Sequence, residues 1–511
     1  MSNQHITSID QSKIEELKES YDNLIYVSKA FSNTCINSLM ARARIYGLSP
    51  VPIKEARVLE LGSSCGGNII PQAVYNPTAT FTGIDLSPAQ VKHGNELIES
   101  IGLKNITLLE KDIMDIDDAF GTFDYIIVHG IWSWVPDVVK DKILSICNRN
   151  LSDQGIAFVS YNTYPGWKRL EQLRDIMLYS EKCVSSNTLL DRTVYTKNVL
   201  QKIQELIKMS PQTNQKAAYK LRDIDNIIKA DDYYVGHEYL ESINNPVYVS
   251  DFIKRAQAQG CAYIGDENLQ NSFISWLAQD DYIAKEQYYD YVYDIQFRMA
   301  LLTKKNQENR ITRNEKVQAS TINSLYFLTS LKDVPNILPD TSNVLYTVIE
   351  ELRKKQLPFA VTDILHHMKV EYPNYTIDKT QLYTRLLALT VIGHLNAYGE
   401  RDYHIPFTEN KSYIPELFIK YVSTLIEGGG NQYITLANMY NQIDSYIDNG
   451  ILYTMRLLQK PTTRASLLNH LDKNMIITRS NDEGQPYRIS SNQYLEDILS
   501  RLQLLGFFRN T

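Results

Sequence analysis

The sequence predicts an α/β fold, doubly wound about a parallel sheet, followed by mostly helical middle and C-terminal regions. Three observations carry this. Five short apolar runs alternate with helical patterns between residues 57 and 161. A glycine-rich turn follows the first run, and an acidic residue closes the second. After residue 170 the strand-like runs give way to long amphipathic helices.

The runs are RVLEL (57–61), TFTGID (80–85), ITLLE (106–110), DYIIVH (124–129) and IAFVSY (156–161). Runs this apolar suit strands covered on both faces. Their alternation with helices implies crossover connections and a doubly wound sheet. The helix after the second run is the best signalled. Ser87 can cap it, Pro88 takes its first position, Gln90 completes a capping box and Gly102 ends it. That places Asp85 at the carboxyl end of the second strand.

Residues 1–50 read as helices that end at GLSPVP and form an N-terminal helical lid. Residues 51–170 form the ligand-binding domain. Residues 171–340 form a helical middle and dimerisation region that includes the dense segment 231–267. Residues 341–511 carry a weak repeat, VTDILHHM (361–368) with QLYTRLLALTVIGHLNAY (381–398), then RASLLNHL (464–471) with QYLEDILSRLQLLGFF (493–508). Each copy is a helix, a polar stretch and a longer helix with an apolar tail. The expectation is a pair of winged-helix-like units.

Composition excludes several function classes. Of 511 residues, the charged ones leave a net charge of -7, so no global basic field recruits nucleic acid. The cysteines at 35, 65, 147, 183 and 261 form no C-x-x-C pair, so neither a zinc knuckle nor a redox motif is offered. No metal site is expected. The N-terminal stretch does not read as a leader and no apolar run reaches roughly 18 residues, so a cytoplasmic protein without membrane insertion is expected.

The turn reads Glu60-Leu61-Gly62-Ser63-Ser64-Cys65-Gly66-Gly67-Asn68. Glycines between a strand and a helix let a ligand approach the backbone. Asp85, about 20 residues on, can accept from both ribose hydroxyls. In a dinucleotide fingerprint the middle glycine makes room for a pyrophosphate; Ser64 stands there instead. S-adenosyl-L-methionine has no pyrophosphate, and the E-x-G-x-x-x-G spacing of Glu60, Gly62 and Gly66 is the form used for it. Ser63, Asn68, Leu86 and Gln90 fall on the same turns. Asp112 can accept from the adenine amino group with Ile113 against the ring; the alternative for Asp112 is a solvated turn carboxylate.

Two aromatic loops follow the fourth and fifth runs, His129 to Pro136 and Tyr161 to Trp167. Both belong at the carboxyl ends of strands, where open α/β sheets bind ligands. Methyl transfer needs a neutral nucleophile, aligned and shielded from water. Aromatic faces suit a cationic or methylated amine. Trp132, Trp134, Tyr161 and Tyr164 are therefore substrate-wall candidates, and His129 and Asn162 are candidates for holding the amine or relaying its proton. The alternative for the aromatics is core packing. Tyr26, Ser28 and Phe31 could fold over the methionine end of the cofactor; the alternative is an amphipathic helix on the core.

The stretches YDNLIYVSKAFSNT (21–34), VLELGSSCGGNIIPQA (58–73), FTGIDLSPAQVKHG (81–94), FDYIIVHGIWSWVP (123–136), GIAFVSYNTYPGW (155–167) and HEYLESINNPVYVSDFIKRAQAQG (237–260) can then be set beside known families. The chain resembles the bacterial protein-lysine methyltransferases, which couple a Rossmann-like class I methyltransferase domain to a methyltransferase regulatory domain. The resemblance implies methylation of lysine side chains on a bacterial outer-membrane or surface protein, by a homodimer with an open central cavity. The other readings are a small-molecule N- or O-methyltransferase, a non-enzymatic cofactor-binding regulator, and nucleic-acid binding through the winged-helix-like units. The last is disfavoured by charge, since QLYTRLLALTVIG holds a single arginine.

Overall fold

Three strands form where the apolar runs place them, residue for residue: β1 (Arg57–Leu61), β2 (Thr80–Asp85) and β3 (Ile106–Glu110). β4 covers Phe123–Val128, and β5 is longer than its run, from Leu151 to Tyr164. The computed structural model describes residues 28–511 apart from residues 187, 210–214, 274–280, 314–316, 330–343, 356, 402–404, 428–434, 445–448, 475–477 and 481–485. The five strands are parallel, in the order β3-β2-β1-β4-β5.

The helices that frame the sheet are α1 (Ile36–Ile45), α2 (Ile70–Tyr75), α3 (Pro88–Ile101) and α4 (Asp137–Arg149). α3 starts and ends as its sequence predicts, at Ser87, Pro88 and Gly102. Ser87 Oγ accepts from the Gln90 N–H, Pro88 is the first residue, and Gly102 ends the helix at φ +84. The Ser87 N–H donates to Asp85 Oδ1 at 3.0 Å, so the acid at the strand end also braces the cap.

The sheet does not stop at residue 170, and this corrects the expected division. α5 (Trp167–Glu181), α6 (Leu189–Met209), α7 (Gln215–Lys229) and α8 (Asp232–Tyr239) follow as the sequence suggests. Short β6 (Val247–Tyr248) then pairs with the end of β5, and α9 (Val249–Ala258) leads into β7 (Cys261–Asp266) and β8 (Phe297–Lys304). β8 runs antiparallel beside β5, and β7 antiparallel beside β8. The middle region therefore contributes the last strands of the ligand-binding sheet.

Each face of the sheet has its own core. In β1, Val58 packs on one side and Leu59 on the other, as a pleat of period two requires. The Val58 face is continuous with the C-terminal half, through residues such as Phe327, Leu386 and Phe508. Each such side chain removed from water contributes about 1.5–3 kcal/mol. Helix α1 belongs to this core and is buried on nearly every residue. It is not a lid. The segment ahead of it, from Ser28, lies against the glycine turn.

Beyond residue 317 the helices Val361–Glu371 and Lys379–Val391, and Arg464–Asn474 and Ser491–Leu504, are the four long pieces of the weak repeat. The second pair encloses a hairpin of Thr478–Ser480 and Pro486–Arg488, as a wing does. The first pair is followed by the strand Leu395–Tyr398 in a three-stranded antiparallel sheet.

Candidate active site

The turn after β1 must reverse sharply at the sheet's edge. Gly62 and Gly66 take φ +72 and +81, a region that disfavours side chains. Gly67 is needed for space instead. A Cβ there would lie 2.1 Å from the Ser28 carbonyl oxygen. Ser28 Oγ accepts from the Gly67 N–H at 2.8 Å, and Asp85 Oδ2 from the Ser64 N–H at 2.8 Å. The turn is thus fixed from both ends.

A cavity of about 1160 Å³ opens over this turn. Glu60, Gly62, Ser63, Asn68, Asp85, Leu86, Gln90, Asp112, Ile113 and His129 all line it. Gly66 shapes the turn from behind. Asp112 also caps the following turn, with Oδ1 accepting from the Met114 N–H at 2.8 Å. Tyr26 lies outside the described residues. Among the described residues no His, Cys, Asp and Glu cluster could hold a metal ion, and no helix is long and apolar enough to cross a membrane.

Glu60 is the least comfortable group on the turn. Its Oε1 accepts from Asn68 Nδ2 at 2.6 Å, while its buried Oε2 meets no partner among the described residues. Burial chiefly, then the nearby Asp85 charge, pushes the carboxyl up to about 8 despite the Asn68 hydrogen bond. The buried Ser63 hydroxyl is also unpartnered. Buried polar atoms are seldom left so. Acceptors and a hydroxyl aimed at one cavity suit a ligand with an ammonium, a ribose and an adenine, and S-adenosylmethionine has these groups.

The two aromatic loops divide. Trp134 lines the cavity, and so does Trp167. Trp132 and Tyr161 do not: both are fully buried and pack on Phe252 of α9, with ring centroids 5.2 and 4.1 Å away. Tyr164 also turns away from the cavity. Its hydroxyl donates to Glu171, and its ring faces Tyr248 at 5.4 Å. The period-two pleat of β5 separates these neighbours. Tyr161 points into the core and Asn162 towards the cavity, and the alternation shifts where the strand ends.

His129 faces the cavity among three rings, Phe31, Phe158 and Phe297, with centroids 4.0, 5.9 and 6.1 Å away. Its Nδ1 is hydrogen-bonded to Ser160 Oγ at 3.0 Å. Burial lowers its pKa to about 4, so the ring is neutral at neutral pH. Asn162 is held by its backbone N–H donating to Ser133 Oγ at 2.8 Å and its Nδ2 donating to Asn244 Oδ1 at 3.2 Å.

Among the cavity residues that the sequence reading does not pick out are Glu238 on α8, Phe297 on β8 and Asn441 in the C-terminal half. Asn441 Nδ2 donates to Asn68 Oδ1 at 2.8 Å and to the Asn68 carbonyl at 3.1 Å. No local motif marks their place in the cavity, although Glu238 falls in the stretch 237–260 that carries the resemblance. They reach the cavity only through the added strands and the packing of the C-terminal half.

Comparison with known proteins agrees with this architecture. Residues 53–225 match a family described as "Methyltransferase domain", 231–304 a "Predicted methyltransferase regulatory domain", and 404–499 a "Winged helix domain". The uncharacterised protein RP789 of Rickettsia prowazekii is 30% identical over 415 residues, 75% of this chain and 74% of that protein. The uncharacterised protein RP028 of the same organism is 37% identical over 240 residues, 47% of this chain and 94% of that protein. The solved structure of PKMT2 from Rickettsia typhi in complex with AdoHcy superposes with a TM-score of 0.77, at 24% identity, over 94% of this chain and 99% of that one.

Proposed function

Because the chain belongs to the class I S-adenosylmethionine-dependent methyltransferases that carry a methyltransferase regulatory domain, we propose that it is a protein-lysine N-methyltransferase acting on a bacterial outer-membrane or surface protein. The bound cofactor supplies a methyl group activated by a positively charged sulfur. The chain's own residues hold the two reactants and keep water out.

The observation that carries the lysine reading is the continuity of the cavity. One volume runs from the Gly62 turn, past His129 and Asn162, to a wall built by α5, α7 and α8. At about 1160 Å³ it exceeds the roughly 300–1,000 Å³ of a usual small-ligand pocket. It has room for the cofactor and for a side chain entering on its own protein. Glu60, Asp85 and Asp112 would hold the cofactor's polar groups, and Leu86, Gln90 and Ile113 line the same part of the cavity. Trp134 and the rings about His129 strip water from the incoming amine. Desolvation lowers an ammonium pKa and so favours the neutral, nucleophilic form. The resemblance and the fold shared with PKMT2 support the same reading. The homodimer is part of the proposal, and light scattering on the purified chain tests it.

The function is tested with methyl-labelled S-adenosylmethionine and fractionated bacterial envelope protein, with Asp85→Ala as the control. Label in protein that hydrolyses to methyl-lysine is the expected result. Label confined to dialysable products would replace the protein substrate with a small molecule.

A further inference from the structure

The cavity wall supplied by α8 lies in the segment matched as regulatory, residues 231–304. Glu238 of this helix lines the cavity. The Asn162 side chain, at the carboxyl end of β5, lines the same cavity. An amide is neutral, so it leaves the charge of Glu238 unbalanced.

The cations around it are engaged elsewhere. Arg169 of α5 pairs with Asp223 at 2.6 Å, and Arg222 of α7 reaches the same carboxylate at 3.8 Å. Arg174 of α5 donates to the Glu241 carbonyl. On α6, Arg192 pairs with Glu181 at 3.1 Å and Lys197 with Asp232 at 2.6 Å. His237, the next residue on the helix, is hydrogen-bonded to Glu241 at 2.8 Å. Lys29 reaches the Tyr233 hydroxyl at 2.5 Å. Tyr234 and Tyr239 are phenols on the same wall, and His129 across the cavity is neutral. Burial pushes the Glu238 carboxyl up to about 7, with the Asn162 amide opposing.

We propose that Glu238 is a catalytic residue of the methyl transfer, receiving the substrate lysine's ammonium in the cavity and taking one proton from it. The inference rests on the lysine reading above. An ammonium has no lone pair and cannot attack carbon. One proton passes from lysine Nζ to a Glu238 oxygen, which frees the pair. That pair forms the bond to the methyl carbon as the carbon–sulfur bond breaks, and the sulfur retains its electrons as a neutral thioether. Glu238 then returns its proton to solvent. A base is best matched when its pKa lies near the working pH. The segment named for regulation would thus supply a group of the reaction centre.

The test follows label transfer from methyl-labelled S-adenosylmethionine to the lysines of envelope protein across pH, for the full-length wild type, Glu238→Gln and Glu238→Asp. S-adenosylhomocysteine binding, by calorimetry, reports the fold and the cofactor site independently. The wild-type rate falls as pH drops through about 7, because Glu238 then carries a proton beforehand. Glu238→Gln loses that acidic limb and about a hundredfold in rate, while its S-adenosylhomocysteine affinity stays within about threefold. Glu238→Asp keeps the limb at a reduced rate. A Glu238→Gln enzyme within about threefold of wild type, with the limb intact, overturns the proposal. So does a selective loss of S-adenosylhomocysteine binding, which would move Glu238 to the cofactor side. If the wild type itself labels no lysine, the protein-lysine function fails and takes this inference with it; the variants alone leave that function standing.

Discussion

Asn441 Nδ2 lies 2.8 Å from Asn68 Oδ1 across 373 residues of sequence. Asn68 in turn donates to Glu60 at 2.6 Å. A residue of the C-terminal half therefore braces the cofactor turn, and Asn441 Oδ1 remains buried without a partner beside the cavity. Asn441 holds φ +57, so glycine removes the amide without straining the backbone. Asn441→Gly is expected to cost about 0.5–1.5 kcal/mol, the net worth of one hydrogen bond, because Asn68 Oδ1 still accepts from the Phe31 N–H and the Thr34 hydroxyl, each at 2.9 Å. Calorimetry should show S-adenosylhomocysteine binding weakened about tenfold, as about 1.4 kcal/mol implies.

Glu60 gives a pH prediction with a definite sign. The unfolded carboxyl ionises near 4.5, the folded one at about 8. Below 4.5 both states hold the proton and the burial of Glu60 costs no ionisation energy. As pH rises towards 8, the unfolded state gains by ionising and the folded state does not, so stability is lost across that window. Glu60→Gln should match the wild type in thermal unfolding at pH 4 and exceed it at pH 8 in the ligand-free protein. Equal melting temperatures at both pH values would contradict the burial argument.

Gly67→Ala should be more damaging than Gly130→Ala, although of the two only Gly130 has a positive φ. At Gly67 the added carbon meets the Ser28 carbonyl at 2.1 Å; at Gly130 nothing lies within 4 Å. Overpacking of this kind costs about 1–3 kcal/mol. At Gly130 only the backbone penalty of about 1–2 kcal/mol applies. Thermal denaturation ranks the two, and loss of S-adenosylhomocysteine binding in Gly67→Ala alone would locate the clash at the cofactor turn.

Tyr161→Phe is expected to leave methyl transfer within about threefold of wild type. Its hydroxyl is buried without a partner, and its ring packs on Phe252. Tyr161→Ala should destabilise the protein by about 3–5 kcal/mol as a cavity mutation. A large rate loss in Tyr161→Phe would return this residue to the substrate wall.

Arg298 of β8 is wholly buried, with Glu286 and Asp290 both 2.6 Å away and Asp266 at 3.4 Å. Arg298→Met would strand these carboxylates and is expected to cost about 3–5 kcal/mol. Because β8 pairs with β5, the loss should appear as a lower melting temperature of the sheet that carries the cofactor turn.

The parts legible in sequence are those written locally. β1, β2 and β3 lie where their apolar runs begin and end, because a strand covered on both faces must be apolar throughout. Gly62, Gly66 and Asp85 could be read because a sharp strand-to-helix turn and a strand-end acid are set by neighbours in the chain. Tyr161 was misplaced because loop membership says nothing about which way a side chain points. That depends on where the β5 pleat ends, and the strand outlasts its apolar run.

The sequence by itself determined the doubly wound sheet, the glycine turn, the cofactor class and the capped helix that fixes Asp85. Each follows from periodicity, glycine conformation or capping within about 20 residues. Tertiary structure decided the rest. It extended the sheet with β7 and β8, buried α1 in the core, and brought Glu238 and Asn441 to the cavity. Those contacts join segments far apart in the chain, and no local pattern encodes them. They form because the apolar faces left open by the first five strands have to be covered.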